Sequence, residues 1–252
     1  MARGSAFEDA WRRRFARRGA TCHDEAGIAG WSSSGLDGRF RRFRKLWARA
    51  SAGDLWLDAG CGAGTYSRYL RGEGLRVLGV DYSPPSLAKA REFEAGEGWW
   101  VAGDVKRLPL PPESVDGVLC FGVMQALEDP EPAVRELLAV TRPGGVVWLD
   151  GLNRWCLPNL LRELRRKLRA RAPHLRYDGP WALKRALLRG GAECVDLYWL
   201  PLAPGRFTVL RRLFEHPATQ RLFGMIPPLG MLASHSFILV ARRPAGRERE
   251  VE

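Results

Sequence analysis

The chain has 252 residues, of which 46% are apolar and 27% charged, and a net charge of +12. These proportions are ordinary for a globular protein and exclude a disordered, collagen-like or coiled-coil chain. No apolar run reaches the roughly 20 residues that cross a bilayer. The charge is uneven, at +7 over residues 1–53, −6 over 54–150 and +11 over 151–252. An acidic centre between basic flanks can meet nucleic acid, anionic lipid or acidic substrates. Because 35 of the 40 basic residues are arginine, base composition of the genome is an alternative source of that charge. Cys22, Cys61, Cys120, Cys156 and Cys194 form no CxxC pair, which argues against a disulfide framework or a zinc site and fits a reducing cytoplasm. The first residues lack an apolar signal core, so a cytoplasmic location is expected.

In chain order, residues 1–50 are arginine-rich, with helices expected at 9–18 and 38–50. Between them lies Gly30-Trp31-Ser32-Ser33-Ser34-Gly35-Leu36. From residue 51 strands and helices alternate. Strands are expected at 55–59, 76–80, 99–102, 117–121 and 146–150, and helices at 65–71, 84–93 and 130–140. Later come a helix at 180–188 and strands at 194–200 and 237–241. Strand–helix alternation with connecting loops implies an α/β fold, a doubly wound parallel sheet with helices on both faces. Two segments interrupt it. Residues 155–172 place Leu157, Leu160, Leu161, Leu164 and Leu168 on one helical face, opposite Arg162, Arg165, Arg166 and Arg169. Residues 205–233 are rich in Phe, Leu and Pro.

The strongest chemical signal is Leu57-Asp58-Ala59-Gly60-Cys61-Gly62-Ala63-Gly64-Thr65, a strand running through alternating glycines into a helix. Glycine permits the tight turn and lets a ligand approach the backbone. Dinucleotide-binding folds share such a loop, so two further acids matter. Asp81 ends the second strand, where it can accept both hydrogen bonds of a ribose diol. Asp104 ends the third, where it can accept from an adenine amino group. Carboxylates at three successive strand ends favour a ligand with positive character over a pyrophosphate.

LDAGCGAGTYSRYL, VLGVDYS, GDVKRLPLPPESVDGVLCFGVMQALEDP and LLAVTRPGGVVWLDG together resemble the class I S-adenosylmethionine-dependent methyltransferases, closest to their small-molecule and quinone-type subgroup. The resemblance implies a Rossmann-like seven-stranded sheet whose last strand, at 237–241, is antiparallel. It implies S-adenosylmethionine as cofactor. Asp58, Gly60 and Gly62 would line its methionine part, and Asp81 the ribose, with Tyr82 against the adenine. Asp104 and Val105 would flank the adenine edge, and Phe121 and Gly122 the region of the sulfonium. Cys61 falls within the same loop, as a small packing residue rather than a nucleophile. Ala126 stands where many relatives carry a histidine, so no role of that histidine transfers.

Residues 1–50 read as an N-terminal helical lid carrying Trp31, and 51–252 as the methyltransferase domain. Its insertions at 152–176 and 201–233 would roof the substrate. His23, His174 and His216 are the candidate bases, while His235 at the start of the last strand reads as structural. The acceptor is expected to be small and apolar or lipid-like, with the leucine–arginine helix resting on an anionic membrane surface. RNA methylation through the basic flanks and a non-catalytic cofactor-binding role are the alternatives, although no RNA-binding module is visible. The sequence does not choose the acceptor, the methylated atom or the oligomeric state.

Overall fold

The computed structural model describes residues 5–47, 50–95, 98–170, 175–201 and 208–245. Seven strands form one sheet: β1 (Leu55–Ala59), β2 (Arg76–Asp81), β3 (Trp99–Ala102), β4 (Val115–Cys120), β5 (Thr141–Leu152), β6 (Cys194–Pro201) and β7 (Ser234–Arg242). Their order is β3-β2-β1-β4-β5-β7-β6. β1 to β5 pair in parallel, and β7 lies antiparallel between β5 and β6. The chain reverses its strand order between β1 and β4, the place where open α/β sheets bind ligands at the strands' carboxyl ends.

Adjacent residues of the central strands serve opposite faces. Trp56, Leu119, Trp148 and Ile238 pack with Phe43, Tyr66 and Leu70 on one side. Leu57, Cys120, Leu149 and Leu239 pack with Leu137, Leu138 and Leu187 on the other. Burial on both faces explains the near-continuous apolar runs of these strands. Helices α4 (Thr65–Gly72), α5 (Pro84–Phe93), α6 (Glu131–Val140) and α8 (Pro180–Arg189) cover them.

Before the sheet come α1 (Ala6–Thr21), α2 (Glu25–Ala29) and α3 (Ser33–Leu46). Sequence reading starts the last of these at residue 38, but the helix begins five residues earlier. The Ser32 side chain accepts the Gly35 N–H at 3.2 Å and caps it, so the serine run is a helix start rather than a loop. α1 packs along α5, and a side chain at Gly19 would strike the Ser86 backbone.

The amphipathic segment forms α7 (Leu157–Leu168), shorter than the expected 155–172, whose residues 171 and 172 lie outside the described chain. The Phe-, Leu- and Pro-rich segment folds as α9 (Thr208–Glu215), α10 (Pro217–Met225) and α11 (Pro227–Ala233). Proline at the first turn of α10 and α11 sets both starts. Phe207 of that segment and the tail from residue 246 are outside the described residues. No described helix is long and apolar enough to cross a membrane.

Candidate functional site

The glycine loop after β1 opens onto a cavity of about 1090 Å³, partly open to solvent. Gly60 has φ +77°, and a side chain there would collide with Val123. Gly62 has φ +55° with open space where its Cβ would be, so only glycine suits the turn and the floor stays accessible. At the end of β2, Asp81 accepts the Gly62 N–H at 2.9 Å and the Ser83 N–H at 2.8 Å. Burial raises its carboxyl above the ordinary range, and those two N–H groups draw it back. Tyr82 and Phe15 meet edge to face at 6.2 Å, forming an aromatic shelf beside Asp81. Past β3, Asp104 accepts the Lys106 N–H at 2.9 Å and pairs with Arg12 of α1 at 2.5 Å.

The cavity lining brings together Gly60, Cys61, Gly62, Asp81, Tyr82, Asp104, Val105, Phe121, Gly122 and Trp31. Asp58 is not in it. It is buried behind the loop, where Ser67 donates its hydroxyl to the carboxylate at 2.6 Å, and burial pushes its pKa to about 6. Burial also holds the Cys61 thiol far above its usual value, with Asp58 and Asp81 adding to the effect, so it is no ready nucleophile.

Helices α1 to α3 form the cover. Glu25 of α2 accepts the Thr65 hydroxyl at 2.6 Å and pairs with Arg68, fastening the lid to the first turn of α4. Trp31 lies on Arg39 of α3, whose guanidinium carbon is 3.8 Å from the indole centroid. No described residue of the segments 152–176 and 201–233 lines this cavity. Helices α10 and α11 instead pack on β6, at the far edge of the sheet, with Phe223 buried and Gly230 close against Trp199.

The histidine candidates do not converge. His23 is exposed, and His216 is an exposed cap that accepts the Ala218 N–H at 3.3 Å. His174 lies outside the described residues. No histidine among the described residues lines the cavity. His235, at the start of β7, has its pKa lowered to about 3 by burial first and Arg39 second. Glu8 and Glu25 do line the cavity, but both are committed to partners, Lys106 and Arg68 respectively.

Sequence reading missed one cluster. Arg39 donates from Nε to Asp150 Oδ2 at 3.0 Å, while Asp150 Oδ1 accepts the Gly122 N–H at 2.7 Å. Arg39 Nη1, Arg39 Nη2 and the Tyr66 hydroxyl are buried without hydrogen-bond partners, and both side chains line the cavity. Unmet buried donors are costly and call for an acceptor. An acid at the end of β5 was the available signal, since Asp58, Asp81 and Asp104 occupy the same place on their strands. Nothing in the sequence separates Arg39 from the neighbouring arginines.

A methyltransferase-domain family model matches residues 57–149. The malonyl-[acyl-carrier protein] O-methyltransferase of Serratia marcescens is 40% identical over 110 residues, covering 43% of this chain and 42% of that protein. Its counterpart from Enterobacter lignolyticus is 39% identical over 139 residues, 53% of each. The chain thus spans about half the length of these relatives or less. One solved chain, from the complex between the Haloferax volcanii Trm112 methyltransferase activator and the putative methyltransferase, matches with a TM-score of 0.65 at 19% identity. That match covers 91% of this chain and 97% of the solved one. Haemonchus contortus phosphoethanolamine N-methyltransferase 2, solved with S-adenosyl-L-methionine, gives a TM-score of 0.63 at 18% identity, covering 93% and 60%. At such identities the structures share the fold.

Proposed function

This chain belongs to the class I S-adenosylmethionine-dependent methyltransferases, and from that premise we infer that it transfers a methyl group to an acceptor oxygen that is already ionised, a carboxylate. The observation that carries the reading is the cavity at the strand ends. Its acids suit the nucleoside end of the cofactor, and its lining holds no histidine among the described residues. The named activity of the Serratia and Enterobacter relatives, on a malonyl group, supports the same class of acceptor.

The residues present fit the cofactor. Asp81 would accept from the ribose hydroxyls, with lone pairs left beyond the two it gives to backbone N–H groups. Tyr82 and Phe15 would flank the adenine, with Asp104 and Val105 at its edge. Gly60, Cys61 and Gly62 would let the methionine portion lie close to the backbone, while Phe121 and Gly122 line the opposite wall. The unmet donors of Arg39 and Tyr66 suit the carboxylate of that portion. Asp58, set behind the loop, would act through its charge and through the loop it braces, not by contact.

When bound, S-adenosylmethionine supplies a methyl group on a sulfonium. What the protein adds is alignment and exclusion of water. Trp31, Ile28 and Leu36 give the cavity an apolar cover. A carboxylate needs no proton removed, so no base is required. Its charge and that of the sulfonium cancel as ester and thioether form, and bringing them together is favoured where water is sparse. A lipid-like acceptor is the second reading, favoured by the exposed leucines of α7 near the end of β5. The matched domain and curated relatives give no support to RNA methylation or to a non-catalytic role. The test is transfer of labelled methyl into cell extract, fractionated into lipid, RNA, protein and small molecules. Label confined to RNA, or no transfer at all, would refute the reading.

A further inference from the structure

Among the described residues, buried groups hold helix α7 to the sheet at its first turn. Cys156 is buried, and Asn159 donates to the Asn153 carbonyl at 2.8 Å and the His235 carbonyl at 3.3 Å. Beyond that anchor its leucines join neither of the large cores. Leu157, Leu161, Leu164 and Leu168 are 57%, 45%, 54% and 78% exposed. A solvated face would be polar and a packed face would be buried. Alongside them run Arg162, Arg165 and Arg169, which together with Leu157, Leu161 and Tyr177 line an open trough of about 1230 Å³. The one acid of the helix, Glu163, is tied to Arg166.

The neighbouring segment repeats the pattern. Val209 and Leu213 of α9 and, at the end of α10, Met225 and Ile226 are exposed. Both segments meet at the carboxyl end of β5, where the Asn153 side chain donates to the Met231 and Ser234 carbonyls at 2.6 and 2.7 Å. Asp150, three residues earlier, anchors Arg39 in the cavity wall. The base of α7 therefore borders the same sheet edge as the site.

We propose that α7, with α9 and α10, is a docking face for an anionic phospholipid surface, the leucines entering the acyl region and Arg162, Arg165 and Arg169 meeting the phosphates. Charge complementarity carries the choice of occupant. Residues 151–252 bear +11, and arginines flanking one leucine face are the pattern of a helix lying in a membrane interface. Exposed aliphatics spread over separate convex helices suit a fluid, deformable surface better than a single rigid protein partner. The face would hold the enzyme where an amphiphilic acceptor is concentrated.

The test is co-sedimentation of the full chain with vesicles of phosphatidylcholine alone, or of phosphatidylcholine and phosphatidylglycerol in equal parts. Binding is expected to the mixed vesicles at low salt, to weaken as salt rises, and to be absent with neutral vesicles. R162Q/R165Q/R169Q should lower the partition on the order of a hundredfold, and L161S/L164S on the order of tenfold or more. S-adenosylhomocysteine binding should be unchanged in both variants, which reports that they fold. The proposal is overturned if the parent ignores mixed vesicles at low salt, or if both variants bind as the parent does. It is equally overturned if the leucine face proves to join two copies of the chain, seen as a dimer in light scattering that L161S/L164S dissolves. Binding to RNA or to an acidic carrier protein that mixed vesicles do not compete for would also overturn it.

Discussion

Arg39 and Asp150 are 111 residues apart and meet at 3.0 Å, with side-chain exposures of 3% and 1%. The pair ties helix α3 to the end of β5 and leaves two guanidinium nitrogens in the cavity wall without partners. Breaking such a buried pair on one side leaves an uncompensated charge, which typically costs about 3–5 kcal/mol. Asp150→Asn should therefore lower the denaturant midpoint strongly, and the double variant R39Q/D150N should recover much of the loss. Equal stability of parent and Asp150→Asn in urea titrations would mean that the pair is not formed.

The same double variant isolates the orphaned donors. In R39Q/D150N, S-adenosylhomocysteine affinity should fall about tenfold or more, since charge-assisted bonds are worth about 1.5–3 kcal/mol. Decarboxylated S-adenosylmethionine, which has no carboxylate to lose contact with, should bind parent and variant alike. If calorimetry finds both ligands equally affected, Arg39 does not read the carboxylate.

Asp81→Ala should weaken S-adenosylhomocysteine binding by a similar factor per lost bond, on the order of tenfold to a hundredfold. The loop should loosen as well, because Gly62 loses the acceptor for its N–H. Unchanged affinity in calorimetry would remove Asp81 from the ribose site.

Asp58 gives a prediction in pH. Burial raises its folded pKa to about 6, above the ordinary 3.8. Protonation therefore favours the folded state. This group's contribution is fully present below pH 4 and is lost as pH rises toward 6. Asp58→Asn, which keeps an acceptor for the Ser67 hydroxyl, should be more stable than the parent at pH 7.5, by about 2–3 kcal/mol for a two-unit shift. The difference should shrink toward pH 4. A variant less stable than the parent at pH 7.5, measured without ligand, would contradict the assignment.

These sites differ in how visible they were in the sequence. The glycine loop and the acids at residues 58, 81 and 104 were legible because each is a local feature, a strand end followed by a turn. The α/β class followed from the alternation of strands with helices, and the antiparallel last strand from the family resemblance. The Arg39–Asp150 pair was not legible, because only Asp150 carries a local signal, as an acid late in its strand, and the contact joins residues 111 apart in sequence. The helices around the sheet were legible only in part, for a related reason. The serine run hid the start of α3 at Ser32, and the composition of 205–233 did not show that α10 and α11 bury Phe223 and Gly230 against β6. The family resemblance placed Asp58 along the methionine part of the cofactor. The side chain points instead to Ser67, which only the packing of α4 reveals.

Trp31 tests the lid. It rests on Arg39, and the nearest approach of a Cβ at Gly122 to its indole nitrogen would be 3.5 Å. Hydrogen exchange in residues 20–40 should slow when S-adenosylhomocysteine is added, while the sheet, already protected, changes less. Trp31→Ala should lower turnover with only a modest loss of cofactor affinity, if its part is to exclude water. Unchanged exchange together with parental turnover would assign closure to another segment.

Methyl transfer to an ionised carboxylate, as proposed, needs no enzymic base. Its most direct test incubates the protein with methyl-labelled S-adenosylmethionine and cell extract, then treats the labelled product with mild alkali. A methyl ester releases its label as volatile methanol, and the same label should fall sharply at low cofactor concentration when Asp81→Ala replaces the parent. Label that resists alkali, as on nitrogen or carbon, or label found in RNA, would contradict the account.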